Sequence, residues 1–106
     1  MTKCIGIVSY LPSDKKLRGR RWDKLINLLY TCNKLFKLDV IIESQCWSYF
    51  EISVIKSYFN NVTIYYNQDK LGIVGARKRL REHFLASNYD VIIMLDDDCE
   101  IKGTKE

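Results

Sequence analysis

"GIVGARKRLREHFLASNYDVIIMLDDD", Gly72 to Asp98, changes its hydrophobic period once, and the fold follows from that change. In its first part Ile73, Ala76, Leu80 and Phe84 recur three and four residues apart, the spacing of one helix face. The pattern then becomes an unbroken apolar run, Val91 to Leu95, which suits a strand covered on both faces. A helix feeding such a strand is the repeating unit of a parallel α/β sheet. The strand ends in Asp96, Asp97 and Asp98. Two carboxylates about 4 Å apart repel by roughly 4 kcal/mol at an effective dielectric near 20, a large part of a typical ~5–15 kcal/mol stability. Either these groups fan out into water or a cation belongs among them.

Upstream the same alternation repeats. "NVTIYYN" (Asn61 to Asn67) reads as a third strand and "LDVIIES" (Leu38 to Ser44) as a second. Trp47 to Phe59 is expected to be helical, with Phe50, Val54, Ile55 and Tyr58 on its face, because parallel strands need a crossover between them. Trp22, Leu25, Ile26, Leu29, Cys32, Leu35 and Phe36 give another helix by spacing. "KCIGIVSY" (Lys3 to Tyr10) is a first strand, stopped at Leu11-Pro12. The whole is β-α-β-α-β-α-β, an α/β, Rossmann-like parallel sheet with an expected strand order of 3-2-1-4.

With 106 residues, 47% of them hydrophobic and 28% charged, the chain is expected to form one globular domain over residues 1–106. The net charge of +4 is concentrated in "KKLRGRR" (Lys15 to Arg21), with five cationic residues and no acid. Read as a loop, it is either a solvated segment or an anion site for phosphate or nucleic acid. So small a net charge favours one small anion over a dedicated nucleic-acid interface. Cys4, Cys32, Cys46 and Cys99 show no zinc-ligand spacing, and Cys4 and Cys32 sit in apolar patterns as buried thiols. There is no secretory signal pattern and no run of ~20 apolar residues, so the expectation is a cytoplasmic, reduced protein without a membrane span.

In an open α/β sheet, ligands bind beyond the carboxyl ends of the strands, where strand order reverses. Those ends carry Ser9-Tyr10-Leu11-Pro12, Glu43-Ser44-Gln45 and the aspartates. Alternation along a strand would put Asp96 and Asp98 on one side and Asp97, the spare, on the other. Two carboxylates on one side suit a hard divalent cation that keeps room for phosphate oxygens. Gly72 and Gly75 would allow close approach of backbone to a ligand, and Arg77 and Arg81 lie one turn apart. His83 falls late in its helix and is expected away from this chemistry.

These features together resemble the nucleotide-binding half of a GT-A glycosyltransferase of the family 2 type. "IGIVSYLP" is similar to its first strand and nucleotide loop, and "DVIIES" to its second strand with an acidic end. "NQDKLGIVGARKRLRE" resembles its Asn-x-Gly…Ala-Arg-Asn segment, and "YDVIIMLDDD" its fourth strand with the Asp-x-Asp motif. The resemblance covers nearly all of the chain. It implies that Ser9 and Pro12 line the base pocket, that Glu43 bonds base or ribose, and that Arg77 lies near base or diphosphate. It implies that Asp96 contacts ribose or the metal's outer shell, and that Asp98 coordinates Mn²⁺ or Mg²⁺ on the diphosphate of a UDP- or GDP-sugar. Lys78 stands where the family often has Asn, and no residue reads as a catalytic base. By the same resemblance an acceptor-binding half would follow Glu106, so the expectation is a donor-binding half. Its fourth strand would then be an apolar edge prone to self-association or to pairing with a partner segment.

Two other classes fit parts of the pattern. A non-catalytic nucleotide or metal-binding module would need the same aspartates and no base. A nucleotidyltransferase would place a Gly-rich basic signature right after the first strand, where this chain has Pro12 and only Gly19.

Overall fold

The computed structural model describes residues 2–67 and 71–97. The elements run β1 (Lys3–Tyr10), α1 (Lys15–Leu35), β2 (Asp39–Gln45), α2 (Tyr49–Tyr58), β3 (Val62–Asn67), α3 (Gly72–Leu85) and β4 (Val91–Asp96). The strands form one parallel sheet, as the alternation of periods predicts, in the expected order β3-β2-β1-β4. No helix among the described residues is long and apolar enough to cross a membrane.

Alternation along the strands sorts the core into two layers. Ile5 and Ile7 of β1 and Val40 and Ile42 of β2 face α1 and α2, where they meet Leu25, Leu28, Leu29, Cys32 and Ile55. Fully burying one such aliphatic side chain contributes about 1.5–3 kcal/mol, so this layer dominates the hydrophobic stabilisation. Cys4 and Ile41 face the other way and pack on Leu80 of α3. Cys4 and Cys32 are both buried, as their apolar surroundings predict. Gly6 sits beneath α3, where an added Cβ would come within 2.5 Å of Ile92 Cδ1 and 3.1 Å of Leu80 Cδ2. The missing side chain leaves room for Ile92 of β4 and Leu80 of α3 to meet over β1.

The basic segment is not a loop. Asp14 caps α1, its carboxylate accepting from the Leu17 N–H at 3.0 Å, so Lys15 to Arg21 form the first two turns of the helix. Arg18 points inward. Its guanidinium donates to the carbonyls of Leu11, Pro12 and Cys46 and to both carboxylate oxygens of Glu51. Glu51 also closes a capping box with Ser48 at the start of α2. Burial pushes the Glu51 carboxyl up, but its bonds from Arg18 and Ser48 outweigh that and hold it below its usual range. One arginine thus ties α1, the β1 exit, the β2 exit and α2 together.

The buried face of α2 also differs from the expected one. Ile55 and the following Phe59 are buried, whereas Phe50 and Tyr58 stand mostly in solvent. Trp47 precedes the helix and anchors it from below. The chain reaches it through Cys46, whose φ of 63° makes a left-handed turn at the end of β2. The indole stacks edge-on against Trp22 at 5.6 Å and donates its N–H to Ser9 Oγ at 3.2 Å.

Candidate functional site

The order in which the chain adds strands reverses at β1, whose neighbours are β2 and β4, and the carboxyl ends of β1 and β4 open into a cavity of about 630 Å³. That volume falls in the ordinary range of ~300–1,000 Å³ for small-molecule sites. Register sets what the strands present there. Val8 of β1 lies directly beside Asp96 of β4, and the chain turns at Asp97 immediately afterwards. Asp96 and Asp97 both line the cavity, so the residue expected on the opposite side joins its neighbour once the strand ends.

Two arginines complete the rim, one from each layer of helices. Arg77 of α3 brings Nη2 to 3.4 Å from Asp96 Oδ1, with both side chains more than half exposed. Arg21, two turns into α1, extends over the end of β1. Its Nη1 donates to the Tyr10 carbonyl at 3.4 Å, and its guanidinium carbon lies 5.9 Å from the Tyr10 ring centroid. A second space of about 250 Å³ adjoins the first and shares Val8, Arg21, Ile73 and Asp97 with it. Tyr10, Gln45 and Gly72 line only this smaller space.

The start of α3 faces the same place. Its N-cap residue, Leu71, offers no side-chain capping bond, and its first turn carries no acid. The helix dipole there is equivalent to roughly half a positive charge, which favours an anion. Gly72 begins the helix at φ 77°, a left-handed backbone, with open space where a Cβ would be. Its role is conformational, not close approach. Gln45 fixes the entry, because its side-chain oxygen accepts from the Leu71 N–H.

The residues singled out from sequence divide into those the fold brings together and those it separates. Arg77 and Asp96 meet at the cavity. Asp98 lies outside the described residues. Ser9 is wholly buried on the α1 and α2 side, where its hydroxyl receives the Trp47 indole N–H. Pro12 contributes a carbonyl to Arg18. Neither is among the residues lining the two spaces.

Glu43 is not at the exposed end of its strand, because β2 continues to Gln45. It is fully buried under α3, with Arg79 Nε 3.4 Å from Oε2 and His83 Nε2 3.4 Å from Oε1. His83 lines neither space at the strand ends, in keeping with the expectation for it, but it joins Glu43 in a titratable cluster beneath α3, and its ring stacks on Tyr65 at 3.6 Å. A charged imidazolium–carboxylate pair would fit these distances, but burial acts against both charges. It pushes the Glu43 carboxyl up, with Arg79 pulling the other way, and pushes His83 down, with Arg79 adding to the effect. We therefore read the contact as a buried carboxyl facing a neutral imidazole. Tyr65, Glu43, Val8 and Asp96 form one row across the sheet, so Glu43 and Asp96 are two strand spacings apart, roughly 10 Å.

Arg21, Asp97, Tyr10 and Gln45 line the two spaces although the sequence named them only within longer stretches, the basic run, the aspartates and the strand ends, and not as individual site residues. A signal for Arg21 was present. Ser13-Asp14 before the basic run is a helix-start signature, and it would have turned the supposed loop into a helix with Arg21 at a defined position.

Among the described residues no group of three or more His, Cys, Asp or Glu could enclose a metal ion. Among the described residues the anionic oxygen donors lining the cavity are the carboxylates of Asp96 and Asp97, the donor type that hard divalent cations take. Compared with known proteins, the sequence matches no family model and no curated protein.

Proposed function

We propose that this domain binds a nucleoside-diphosphate sugar, UDP- or GDP-linked, as the donor-binding part of a GT-A glycosyltransferase. The observation that carries the reading is the meeting of Arg77 and Asp96 at the mouth of a ligand-sized cavity, where β1 and β4 separate. In this reading Asp96 and Asp98 hold Mn²⁺ or Mg²⁺, and Asp97 is a further oxygen donor on the same rim. The metal, when bound, would act as a Lewis acid toward the leaving diphosphate. The chain's own residues would bind and orient. Arg77 would exchange its exposed contact with Asp96 for a phosphate oxygen. The α3 N-terminus would face the diphosphate. The smaller space beside Tyr10 and Gln45 would take the base, in place of the pocket first assigned to Ser9 and Pro12. A cytoplasmic location belongs to the same reading, as does pairing of the β4 edge with a second chain.

A non-catalytic nucleotide-binding module is the second reading. What favours it is that the described carboxylates of the cavity, Asp96 and Asp97, are both committed to metal and diphosphate, leaving no separate base. Thermal shift with UDP, GDP, CDP and ADP, each with Mn²⁺ or with chelator, tests both readings. The expected result is stabilisation by one diphosphate that Mn²⁺ increases, an increase that is lost in Asp98→Ala and Asp96→Ala. Slow hydrolysis of the matching nucleotide sugar would select the transferase over the module. No response to any diphosphate would overturn both.

A further inference from the structure

The two cavity arginines come from opposite sides of the sheet. Arg21 is carried by α1, which packs on the layer of Ile5 and Ile7, and Arg77 by α3, which packs on the layer of Cys4 and Ile41. Both reach past the ends of β1 and β4 into the same 630 Å³ space. We propose that Arg21 and Arg77 form a two-sided clamp for a diphosphate-sized anion, and that this clamp works without a metal ion. The inference rests on the proposed reading for the place of the ligand, but not for its cation.

Three properties support the clamp. Each guanidinium presents a planar fork that matches phosphate oxygens in pairs, which an ammonium cannot do. Arg21 already leans over the cavity side of β1, near the Tyr10 carbonyl at 3.4 Å and the Tyr10 ring at 5.9 Å. Arg77 is engaged only by an exposed 3.4 Å contact with Asp96, which solvent screens and an incoming phosphate can displace. The start of α3, where Leu71 makes no side-chain capping bond, also borders this space through Ile73 and adds positive potential there. Arg18 is not part of the clamp, since its donors are committed to Glu51 and three carbonyls.

The probe is inorganic pyrophosphate, titrated calorimetrically into the whole chain in EDTA, with inorganic phosphate and UDP in parallel arms. The clamp predicts saturable one-to-one binding of pyrophosphate that weakens on the order of tenfold or more in Arg21→Gln and in Arg77→Gln. Arg21→Lys should recover part of the affinity, because charge returns without the fork. Lys15→Gln and Arg20→Gln, exposed positions on the same helix, should bind as the unmodified chain does. Phosphate binding as tightly as pyrophosphate would overturn the diphosphate assignment. Absence of saturable binding in EDTA would overturn the clamp, as would equal losses in Arg21→Gln and Arg20→Gln, which mark diffuse charge. Diphosphate binding that requires Mn²⁺ and ignores Arg21 would remove this inference and leave the metal reading standing. Binding in EDTA that gains nothing from Mn²⁺ would do the reverse.

Discussion

Arg18 and Glu43 show how differently two buried charges can be handled within one small domain. Arg18 is satisfied on every side, and its ion pair with Glu51 is mostly shielded from solvent, with side-chain exposures of 25% and 13%. Arg18→Ala would strand Glu51 and three carbonyls, a loss of about 2–4 kcal/mol. For a domain of this size that lowers the melting temperature by on the order of 10–20 °C, and Arg18→Lys should recover only part of it. A melting point within a few degrees of the unmodified chain would show that the arginine is not the tie it resembles. Glu43 is the opposite case, a carboxyl whose burial outweighs the help of Arg79. Its folded-state pKa is raised above the ordinary 4.5, so its contribution is fully present below that pH and is lost as pH rises through the raised value. His83 is depressed below 6.5, so its contribution is present above 6.5 and is lost as pH falls through the lowered value. Glu43→Gln removes only the first effect. Urea melts at pH 4, 5.5 and 7 should show the variant gaining on the unmodified chain as pH rises, while a difference independent of pH would contradict the burial argument.

At the scale of elements, β4 is the exposed member of the sheet. Among the described residues it pairs only with β1, and Ile93 and Met94, on opposite faces, are 41% and 44% exposed. An apolar edge strand presents a row of backbone groups that another chain can extend. Sedimentation should therefore show a mass that rises with concentration, and Ile93→Lys should shift it toward the monomer. A single monomeric species over a wide concentration range would rule the edge out as an interface. The helices differ in how openly the sequence reveals them. α3 is read from Ala76 and Leu80, both fully buried, although Ile73 of the same stripe lines the cavity instead. α1 begins seven residues before its first expected residue, Trp22, because cations in a first turn oppose the helix dipole and look like loop. There the Asp14 cap and the inward turn of Arg18 prevail over local preference.

For the whole molecule, the architecture was legible because four continuous apolar or β-branched runs alternate with three one-sided helical patterns. Yet β4, expected to be covered on both faces, leaves Ile93 and Met94 exposed on opposite ones because it is an edge strand. The parallel order 3-2-1-4 followed from the alternation and the family resemblance together, and the site's location from the rule for open sheets. Individual side chains were less legible. Ser9 and Glu43 carry polar groups near strand ends, which suggests a ligand. Yet Ser9 serves Trp47 and Glu43 sits beneath α3, and neither partner is close in sequence. Asp96 was found because it closes β4 at the switch point, and Arg77 because the family resemblance placed it near the diphosphate. The central claim is that a divalent cation and a diphosphate share the cavity between β1 and β4. Paramagnetic broadening of backbone amide signals by Mn²⁺, with and without UDP or GDP, tests it most directly. The account predicts diphosphate-dependent broadening centred on Val8, Ile73, Arg77 and Asp96, with Thr2 and Lys56 unaffected. Broadening centred on Glu43 and His83, or spread evenly over the surface, would contradict it.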